Sequence, residues 1–318
     1  METMQRFYEG KRVLVTGGAG FIGSHLVEKL VGLGAHVTIL DNFTTGSLRN
    51  LKTVVHAINI MYADVRSSYS CFKASLEQDI VFHLAALISV PESVSNPDLC
   101  YRINIDGTQN MLEASKKNLA STFVYASSSA IYGAKDGLCD ETDTPHPQSP
   151  YAISKYRGEQ LCQHYTRTYG MNTAILRYFN VYGERQNPQG PYAAVRAKFA
   201  HLLRAGSPLT IYGDGTQTRD FINVVNVVEA NLAAGMYPAL YGDIFNVASG
   251  TSISLRELIS QLEQELGIHH TELIFEPTRP GDIQRSQAST AKLQKLLAIR
   301  LTEQPVSEWQ KAQKTVTI

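Results

Sequence analysis

The chain has 318 residues, of which 43% are hydrophobic and 18% are charged, and its 29 basic residues balance its 29 acidic ones. A chain of this length and composition can bury a substantial core, either in one large domain with an elaboration or in two domains. A net charge of zero provides no overall field that favours nucleic acid or an anionic membrane surface, so we expect neither as a partner.

The cysteines and the N-terminus indicate a cytoplasmic protein. The stretch METMQRFYEGKR carries charges where a signal peptide needs an apolar core, and no run reaches the roughly 18 apolar residues of a membrane span. The doublet His269–His270 lacks the spacing of metal ligands, so we expect no metal site. Four widely spaced cysteines, without a C-x-x-C pair, argue against a zinc site and a disulfide framework: Cys71, Cys100, Cys139 and Cys162.

Short apolar runs rich in β-branched residues recur along the chain before residue 180, and each is followed by a helix-like stretch. This alternation is typical of βαβ units and predicts the α/β class, with a Rossmann-type, doubly wound parallel sheet. Their continuous apolarity indicates strands that are covered on both faces. The predicted strands are RVLVTG (12–17), HVTILD (36–41), NIMYAD (59–64), IVFHLAA (80–86), TFVYASS (122–128) and TAILRYF (173–179).

Beyond residue 180 the alternation loosens. The stretch NVYGERQNPQGPYAAV is rich in Gly, Pro and Asn and indicates a shaped loop. After it come a predicted helix near 196–205, the strand-like LTIYGDG and DIFNVASG, and an amphipathic helix at 254–267 with serine near its start and glycine at its close. We expect a smaller α/β lobe over the C-terminal edge of the sheet, where open α/β sheets bind ligands. The predicted division is a dinucleotide-binding Rossmann domain, 1–179 completed by about 218–249, and a substrate-binding lobe, 180–217 and 250–318.

The stretch VTGGAGFIGSHL follows the first strand and opens a helix, which predicts a dinucleotide site. Gly17, Gly20 and Gly23 permit a tight turn, close approach of a pyrophosphate and close helix packing, while the helix N-terminus supplies N–H groups. Asp41 ends the second strand, where a carboxylate can accept hydrogen bonds from a ribose. That carboxylate would repel the extra phosphate of NADP, so NAD is favoured; Arg49, further along, keeps NADP open.

Asp64 follows the third strand, where it either reaches an adenine or is a solvated carboxylate. The glycine spacing G-x-x-G-x-x-G, HLAA at 83–86, SSSAIYG at 127–133 and Y-x-x-x-K at 151–155 resemble, in that order, the extended short-chain dehydrogenase/reductase family, over about residues 11–290. The resemblance implies a tightly bound NAD that is regenerated in each turnover. It implies further cofactor contacts from Phe21, Ile22, Asn42, Val65, Leu84, Ala85, Ala86, Tyr151, Lys155 and Tyr178.

Tyr151 and Lys155 lie one helical turn apart and therefore project from the same helix face. A tyrosine with a reference pKa near 10 is a poor base, but an adjacent ammonium group and the positive nicotinamide ring favour its phenolate. Lys155 can also donate a hydrogen bond to the cofactor ribose. The chain contains a second such pair, Tyr69 and Lys73, which lacks a serine-bearing strand end, and we interpret that pair as surface residues.

In the family, a serine or threonine four residues before the tyrosine of the YG motif donates to the same substrate hydroxyl as the catalytic tyrosine. Counting back from Tyr132 gives Ser128, with Ser127 and Ser129 less favoured. Members that eliminate water carry a TDE sequence here, and decarboxylating members carry an acidic residue; this chain has Ser129 and Ala130. Reversible hydride transfer is therefore favoured, and the serine triplet resembles the nucleotide-sugar 4-epimerases.

Later motifs resemble the members that bind nucleotide sugars. Arg219 and Arg279, two well-separated arginines, suit the binding of a diphosphate. A small residue at Ser286 leaves room for a 2-acetamido group, whereas epimerases restricted to non-acetylated sugars often carry tyrosine there. The resemblance implies that the diphosphate is bound by Asn180, Arg219 and Arg279, the nucleobase by Ala194 and Val195, the nucleoside by Tyr212, the ribose by Asp282, and the sugar or acetamide by Ser89 and Ser129.

The stretches AALISVPESVSNP, ERQNPQGPYAAV and RPGDIQRSQA are most similar to bacterial epimerases that interconvert UDP-GlcNAc and UDP-GalNAc. UDP-glucose remains a second substrate, although Ile88 stands where many galactose-type epimerases have lysine. A uronic-acid 4-epimerase, a 4-ketosugar reductase and a non-catalytic dinucleotide sensor are the alternatives. Family members commonly dimerise through the helix that carries Tyr151 and the one at about 97–118, which implies a homodimer with a four-helix bundle.

Overall fold

The computed structural model describes residues 2–135, 137–188, 195–268, 271–278 and 284–296. The helices are α1 (Glu2–Tyr8), α2 (Phe21–Gly32), α3 (Ser68–Ala74), α4 (Val90–Ser95), α5 (Pro97–Tyr101), α6 (Gly107–Lys117), α7 (Pro150–Tyr169), α8 (Val195–Arg204), α9 (Val224–Met236), α10 (Leu255–Leu266) and α11 (Ala291–Leu296). The strands are β1 (Arg12–Thr16), β2 (His36–Asp41), β3 (Ile58–Tyr62), β4 (Ile80–His83), β5 (Thr122–Ser128), β6 (Leu138–Cys139), β7 (Thr173–Tyr178), β8 (Val181–Tyr182), β9 (Leu209–Tyr212), β10 (Thr218–Arg219), β11 (Ile222–Asn223), β12 (Asp243–Val247), β13 (Ile253–Ser254), β14 (Leu273–Glu276) and β15 (Gln287–Ala288).

Seven strands form one parallel sheet in the order β12-β7-β5-β4-β1-β2-β3. All six strands predicted before residue 180 belong to it, and β12, from the stretch DIFNVASG, completes the edge beside β7. The strand order reverses between β1 and β4, which is the switch point where doubly wound sheets bind their ligands. The predicted fold class is confirmed.

The continuous apolar strands are explained by helices on both faces of the sheet. Side chains alternate along β1, so that Val13 and Val15 pack under α2 and α9, whereas Leu14 packs under α6 and α7, and all three are fully buried. A strand that alternated apolar and polar residues would expose one of these faces. The core therefore consists of two apolar layers, one on each side of the sheet.

A third apolar cluster forms the smaller lobe. It joins α8, α10 and β9 through Phe199, Leu209, Leu258 and Leu262, while β9 pairs in parallel with β14. Helix α10 begins with a capping box between Ser254 and Glu257 and ends at glycine 267 in the left-handed conformation, as its sequence predicts.

Three short strand pairs link this lobe to the C-terminal edge of the main sheet: β8 with β11, β10 with β13, and β6 with β15. They place the segments that follow β7 and β12 beside the ends of β5 and β7. None of the helices in the described part of the chain is long and apolar enough to cross a membrane. Location in the cytoplasm stays a prediction.

Candidate active site

The glycine-rich turn lies against the switch point of the sheet. Gly17 has a φ of +68°, and a Cβ there would come within 2.9 Å of the backbone nitrogen of Ala85, just past β4. A Cβ on Gly23 would overlap the carbonyl oxygen of Gly17, so the first turn of α2 packs directly on the turn. Gly20 is the N-cap of α2 and supplies no side-chain hydrogen bond. The geometry therefore presents the N–H groups of Phe21, Ile22 and Gly23 to an anion at this edge.

Asp41 lies beneath the loop that follows β2. Its carboxylate accepts hydrogen bonds from the backbone N–H groups of Ala19, at 2.9 Å, and Phe43, at 2.8 Å. In return, the carbonyl oxygen of Ala19 accepts from the Ser47 backbone, at 3.0 Å, and from Asn50 Nδ2, at 2.9 Å. The glycine turn and the loop after Asp41 thus hold each other in place, a role for Asn50 that sequence reasoning missed.

Asp64 is engaged with protein groups. Arg66 donates to both of its carboxylate oxygens at 2.9 Å, and Asn42 donates to Oδ2 at 2.8 Å. The hydrogen bonds from Arg66 lower the pKa of Asp64 to about 2. Asp64 is thus an ion-paired carboxylate that also orients Asn42, not a freely solvated one; the predicted contact with adenine stays a prediction.

The remaining predicted cofactor residues line the same edge or lie just behind it. Val65 is buried against glycine 107, and Ala85 donates its N–H to Thr16 Oγ1 at 3.1 Å. Leu84 donates its N–H to the Thr16 carbonyl at 3.2 Å, and Ala86 follows it along the edge. Tyr178 ends β7 with its hydroxyl bonded to Asn231 of α9 at 2.9 Å. Because the glycine cradle, the helix N-terminus and Asp41 converge here, the residues fit a dinucleotide.

Tyr151 and Lys155 lie at the start of α7. This helix begins at Ser149, whose hydroxyl accepts the N–H of Ala152 at 3.2 Å. Burial raises the pKa of Tyr151, and the neighbouring Ser128 hydroxyl counters that rise. Lys155 Nζ donates to the Ala126 carbonyl at 2.8 Å, and burial lowers its pKa to about 8. The structure thus brings together the three residues predicted to be catalytic.

The three serines at the end of β5 have different surroundings. Ser127 is buried and donates to Glu159 Oε1 at 2.7 Å. Ser128 caps the turn that follows, accepting the N–H of Ala130 at 3.2 Å, and also faces Tyr151. Ser129 lies half-buried within that turn. Of the three serines, Ser128 is the one that acts on the pKa of Tyr151; its role toward a substrate hydroxyl stays a prediction.

The second Y-x-x-x-K pair is on the surface. Tyr69 is 69% exposed on α3, and Lys73 Nζ lies 5.8 Å from the centre of its ring. The pair is an exposed cation–π contact away from the serine-bearing end of β5, as predicted.

Asn104 is a site residue that sequence reasoning missed. It lies in a π-helical turn (Arg102–Asp106) between α5 and α6. Its side chain bonds both backbone groups of Leu87, at 2.8 and 3.0 Å, and the hydroxyl of Ser154 on α7, at 2.9 Å. It therefore ties the segment after β4 to the helix of Tyr151. A polar residue in an otherwise helical stretch carries little signal in one sequence, but π-turns often mark functional sites.

The predicted substrate residues surround the end of β7 and the smaller lobe. Asn180 follows β7, Val195 opens α8, Tyr212 ends β9, and Ser286 lies half-buried before β15. Ser89 is buried as the N-cap of α4, where its hydroxyl accepts the N–H of Glu92 at 3.1 Å. Three predicted substrate residues lie outside the described residues, as does the histidine doublet at 269–270: Ala194, Arg279 and Asp282.

Asp220, which sequence reasoning also missed, joins these segments. Its buried carboxylate accepts hydrogen bonds from Ser249, Gly250 and Ala288 at 2.7 to 3.2 Å. Its carbonyl oxygen accepts from Asn180 Nδ2 at 2.9 Å. Asp220 immediately follows Arg219, which is half-buried on β10. Asp220 therefore joins β15, which follows Ser286, through its carboxylate and Asn180 through its carbonyl oxygen, next to Arg219 in the chain.

Comparison with known proteins agrees with this geometry. A family model described as the NAD dependent epimerase/dehydratase family matches residues 13–248. A putative UDP-glucose 4-epimerase of Methanocaldococcus jannaschii is 41% identical over 287 residues, covering 89% of this chain and 92% of that protein.

Two solved structures are similar over nearly the whole chain. The UDP-N-acetylglucosamine 4-epimerase of Methanobrevibacter ruminantium, in complex with UDP-N-acetylmuramic acid, is 36% identical with a TM-score of 0.89, covering 95% of this chain and 96% of that one. The UDP-glucose 4-epimerase of Thermus thermophilus, in complex with NAD, is 36% identical with a TM-score of 0.85, covering 95% and 99%.

These matches confirm the predicted family, the NAD-dependent epimerase class of the enzyme and NAD as its cofactor. The family model covers well over half of the 318 residues, and it spans both the glycine turn and the Tyr151–Lys155 pair. The chain belongs to the NAD-dependent epimerase/dehydratase family.

Proposed function

We propose that the enzyme interconverts UDP-sugars that differ in configuration at carbon 4, with UDP-GlcNAc and UDP-GalNAc as the preferred pair and UDP-glucose and UDP-galactose as further substrates. The observation that carries this proposal is the placement of Tyr151 on α7 beside Ser128 at the end of β5, with Lys155 one helical turn away. Next to Ser128 stand Ser129 and Ala130, which provide no acid or base for elimination. Such a site suits removal and return of hydride at one carbon.

The residues at the C-terminal edge of the main sheet would have separate roles in the reaction. Bound NAD supplies a reversible hydride acceptor beside carbon 4 of the sugar. Ser128 and Tyr151 would bind the 4-hydroxyl together, and Tyr151 would take its proton and later give it back. The Lys155 ammonium group, held on the Ala126 carbonyl, would favour the phenolate of Tyr151. The 4-keto sugar would turn about its diphosphate link before the hydride returns to the opposite face.

The proposed cofactor contacts follow the structure of the edge. The pyrophosphate would lie on the glycine turn and the first turn of α2, with Asp41 and Asn42 toward the adenosine ribose and Lys155 toward the other ribose. The adenine would lie near Asp64 and Val65. The edge would be completed by Leu84, Ala85, Ala86 and Tyr178. With these contacts, the NAD-binding domain would consist of residues 1–179 together with about 218–249.

The substrate would lie between that domain and the smaller lobe. Asp220 already gathers Asn180, Arg219 and the strand after Ser286, so a diphosphate bound by the first two would bring the sugar toward Ser286. A half-buried serine leaves room for a 2-acetamido group that a phenol ring would fill. The similar structure from Methanobrevibacter ruminantium, named as a UDP-N-acetylglucosamine 4-epimerase, supports the acetylated sugar.

We also propose a homodimer that pairs α7 and the helical segment 97–117 with their copies. Residues on these helices that are apolar yet incompletely covered include Tyr101, Ile105, Ile153 and Tyr156. Four such helices would bury these side chains in a bundle. Sedimentation velocity of the purified protein should give a mass near twice 35.1 kDa; a monomer at micromolar concentration would contradict the dimer.

The deciding experiment is incubation of the purified protein, without added cofactor, with UDP-GlcNAc and separately with UDP-glucose, followed by proton NMR. We expect UDP-GalNAc to form faster than UDP-galactose. Tyr151→Phe should lower kcat by about 10²- to 10⁴-fold, because it removes the group that moves the proton. The matched control is Tyr69→Phe in the exposed pair, which should leave kcat unchanged.

If neither sugar is converted, with or without added NAD, the proposed substrates are wrong. Conversion of UDP-N-acetylglucosaminuronic acid would then identify a uronic-acid epimerase, and consumption of NADPH with a 4-keto sugar would identify a reductase. Binding of NAD without turnover of any of these sugars would indicate a sensor.

A further inference from the structure

An ion pair is buried between the helix of Tyr151 and the sheet. Arg177 on β7 donates from Nε to Glu159 Oε1 and from Nη2 to Glu159 Oε2, both at 2.8 Å, and both side chains are 1% exposed. Arg177 Nη1 has no hydrogen-bond partner among the residues that the structure describes. Replacing a buried ion pair by well-packed apolar residues often leaves a protein equally stable or more stable. Stability alone therefore does not account for this pair.

The pair also contacts the strand that carries the serines. Ser127 donates to Glu159 Oε1 at 2.7 Å. The Arg177 guanidinium lies 4.7 Å from the ring centre of Tyr132, and the Tyr132 hydroxyl donates to Asn246 Oδ1 on β12 at 2.6 Å. A single network thus joins α7, three neighbouring strands and the turn after Ser128.

The spacing of these contacts fixes α7 against the end of β5. Tyr151, Lys155 and Glu159 are four residues apart and share one helix face. Glu159 accepts from Ser127, Lys155 donates to the Ala126 carbonyl, and Tyr151 faces Ser128. Three successive residues of the strand therefore lie against three successive turns of the helix, and two of them are hydrogen-bonded to it, so a shift of the helix at Glu159 would move the phenol relative to the Ser128 hydroxyl.

We propose that Glu159, held by Arg177 and bonded to Ser127, is a positioning residue that sets the geometry between Tyr151 and Ser128. It reaches neither sugar nor cofactor and acts through the helix and strand that it joins. The inference rests on the proposed function, because its main readout is turnover of the nucleotide sugar. A proton transfer needs donor and acceptor within about 2.6 to 3.2 Å, so a displacement near 1 Å has a large effect on rate.

The test is the double variant Glu159→Met/Arg177→Met, which removes both charges and keeps apolar volume. We expect kcat to fall by about 10- to 100-fold. KM for the nucleotide sugar should change less than twofold, because Asn180, Arg219 and Tyr212 are untouched. Glu159→Gln, which keeps an acceptor for the Ser127 hydroxyl, should have a kcat above that of Glu159→Met.

A second test compares two buried serines, one as the test variant and the other as its matched control. Ser127→Ala removes the link between Glu159 and β5 and should lower kcat, whereas Ser115→Ala removes a buried hydroxyl that donates to the Met111 carbonyl on α6, at 2.7 Å, and should not. If the double variant does not fold, this serine pair decides the question. Equal kcat in Ser127→Ala, Ser115→Ala and the unmodified enzyme would overturn the proposal.

A second readout separates positioning from a general loss of structure. Hydrogen bonding by Ser128 lowers the pKa of Tyr151, and the titratable groups that act on the phenol include Cys100 on α5 and Tyr125 on β5. A displaced phenol loses that bond, so the acidic limb of the pH profile of kcat/KM should move to higher pH in Ser127→Ala and remain in place in Ser115→Ala. An unmoved limb together with an unchanged kcat would contradict positioning.

The inference and the proposed function fail in different ways. If the unmodified enzyme converts neither UDP-GlcNAc nor UDP-glucose, the substrates are wrong, and hydrogen exchange of residues 149–156 still measures whether Glu159 holds the first turn of α7. Faster exchange in Ser127→Ala than in Ser115→Ala supports positioning. Equal exchange, or equal rates in an active enzyme, rejects it.

Discussion

The two faces of the main sheet differ in what they bury. The face under α2 and α9 is lined mainly by apolar side chains, such as Val15, Phe82 and Phe245. On the face under α6 and α7, the side chains are apolar toward the N-terminal ends of the strands and polar at their carboxyl ends, which form the ligand edge. Buried there are His83, Tyr125, Ser127, Arg177 and Asn246.

Polar groups are costly to bury, and each of these is matched by a partner. His83 lies between the hydroxyls of Thr16, at 2.8 Å, and Thr108, at 3.1 Å, and Arg177 is paired with Glu159. Apolar contacts are non-directional, so they hold a helix on a sheet but define its position along the strands less sharply than hydrogen bonds and ion pairs do. The comparison indicates that the apolar face provides cohesion and the polar face locates the helix that carries Tyr151.

The largest expected effect comes from breaking the ion pair on the polar face on one side only. Glu159→Met leaves Arg177 buried without a counter-charge and should lower the free energy of unfolding by about 3 to 5 kcal/mol. Glu159→Met/Arg177→Met should be clearly more stable than this single variant. Urea unfolding of the three proteins measures both values; equal losses in single and double variants would show that the charges are not coupled.

A truncation on the apolar face should separate stability from turnover. Leu232 on α9 is fully buried, and Leu232→Ala should cost about 2 to 5 kcal/mol because it removes apolar contacts and leaves a cavity. Assayed well below its unfolding midpoint, this variant should keep kcat within about twofold of the unmodified enzyme. A loss of kcat as large as that of Glu159→Met/Arg177→Met would remove the distinction between the two faces.

The smallest effect concerns pH and the polar face. Burial, with a contribution from the Lys155 charge, lowers the pKa of His83 to about 3, below the value near 6.5 of an unfolded chain. The unfolded state therefore binds a proton that the folded state rejects, and stability should fall by about 1.4 kcal/mol per pH unit as the pH drops below about 6.5. His83→Gln should lose this contribution and show a flatter profile between pH 6.5 and 5 in urea titrations; parallel profiles would contradict it.

Much of the fold could be predicted because its signals are local. Six apolar runs correspond to six strands of the sheet, within three residues at their ends, since the pattern of side chains along a strand depends on adjacent positions. The glycine turn was predictable for the same reason: a positive φ at Gly17 and close packing at Gly23 demand glycine at those positions.

The polar network was not predictable at that level. Arg177 is a charged residue inside the apolar run TAILRYF, which is a signal of a buried partner, but its carboxylate lies on a helix 18 residues earlier. Asp220 joins segments from three parts of the chain, and no spacing rule relates them. These contacts depend on which strands are neighbours, and that order is set by the packing of the whole chain.

The sequence by itself determined the α/β alternation, the glycine turn and the shared face of Tyr151 and Lys155, because backbone conformation and helical periodicity act over a few residues. Tertiary structure alone decided that Ser127 donates to Glu159, and that Asn180 and the strand after Ser286 meet at Asp220. Those arrangements arise from side chains that are distant in sequence and become neighbours only when parallel strands and their covering helices pack together.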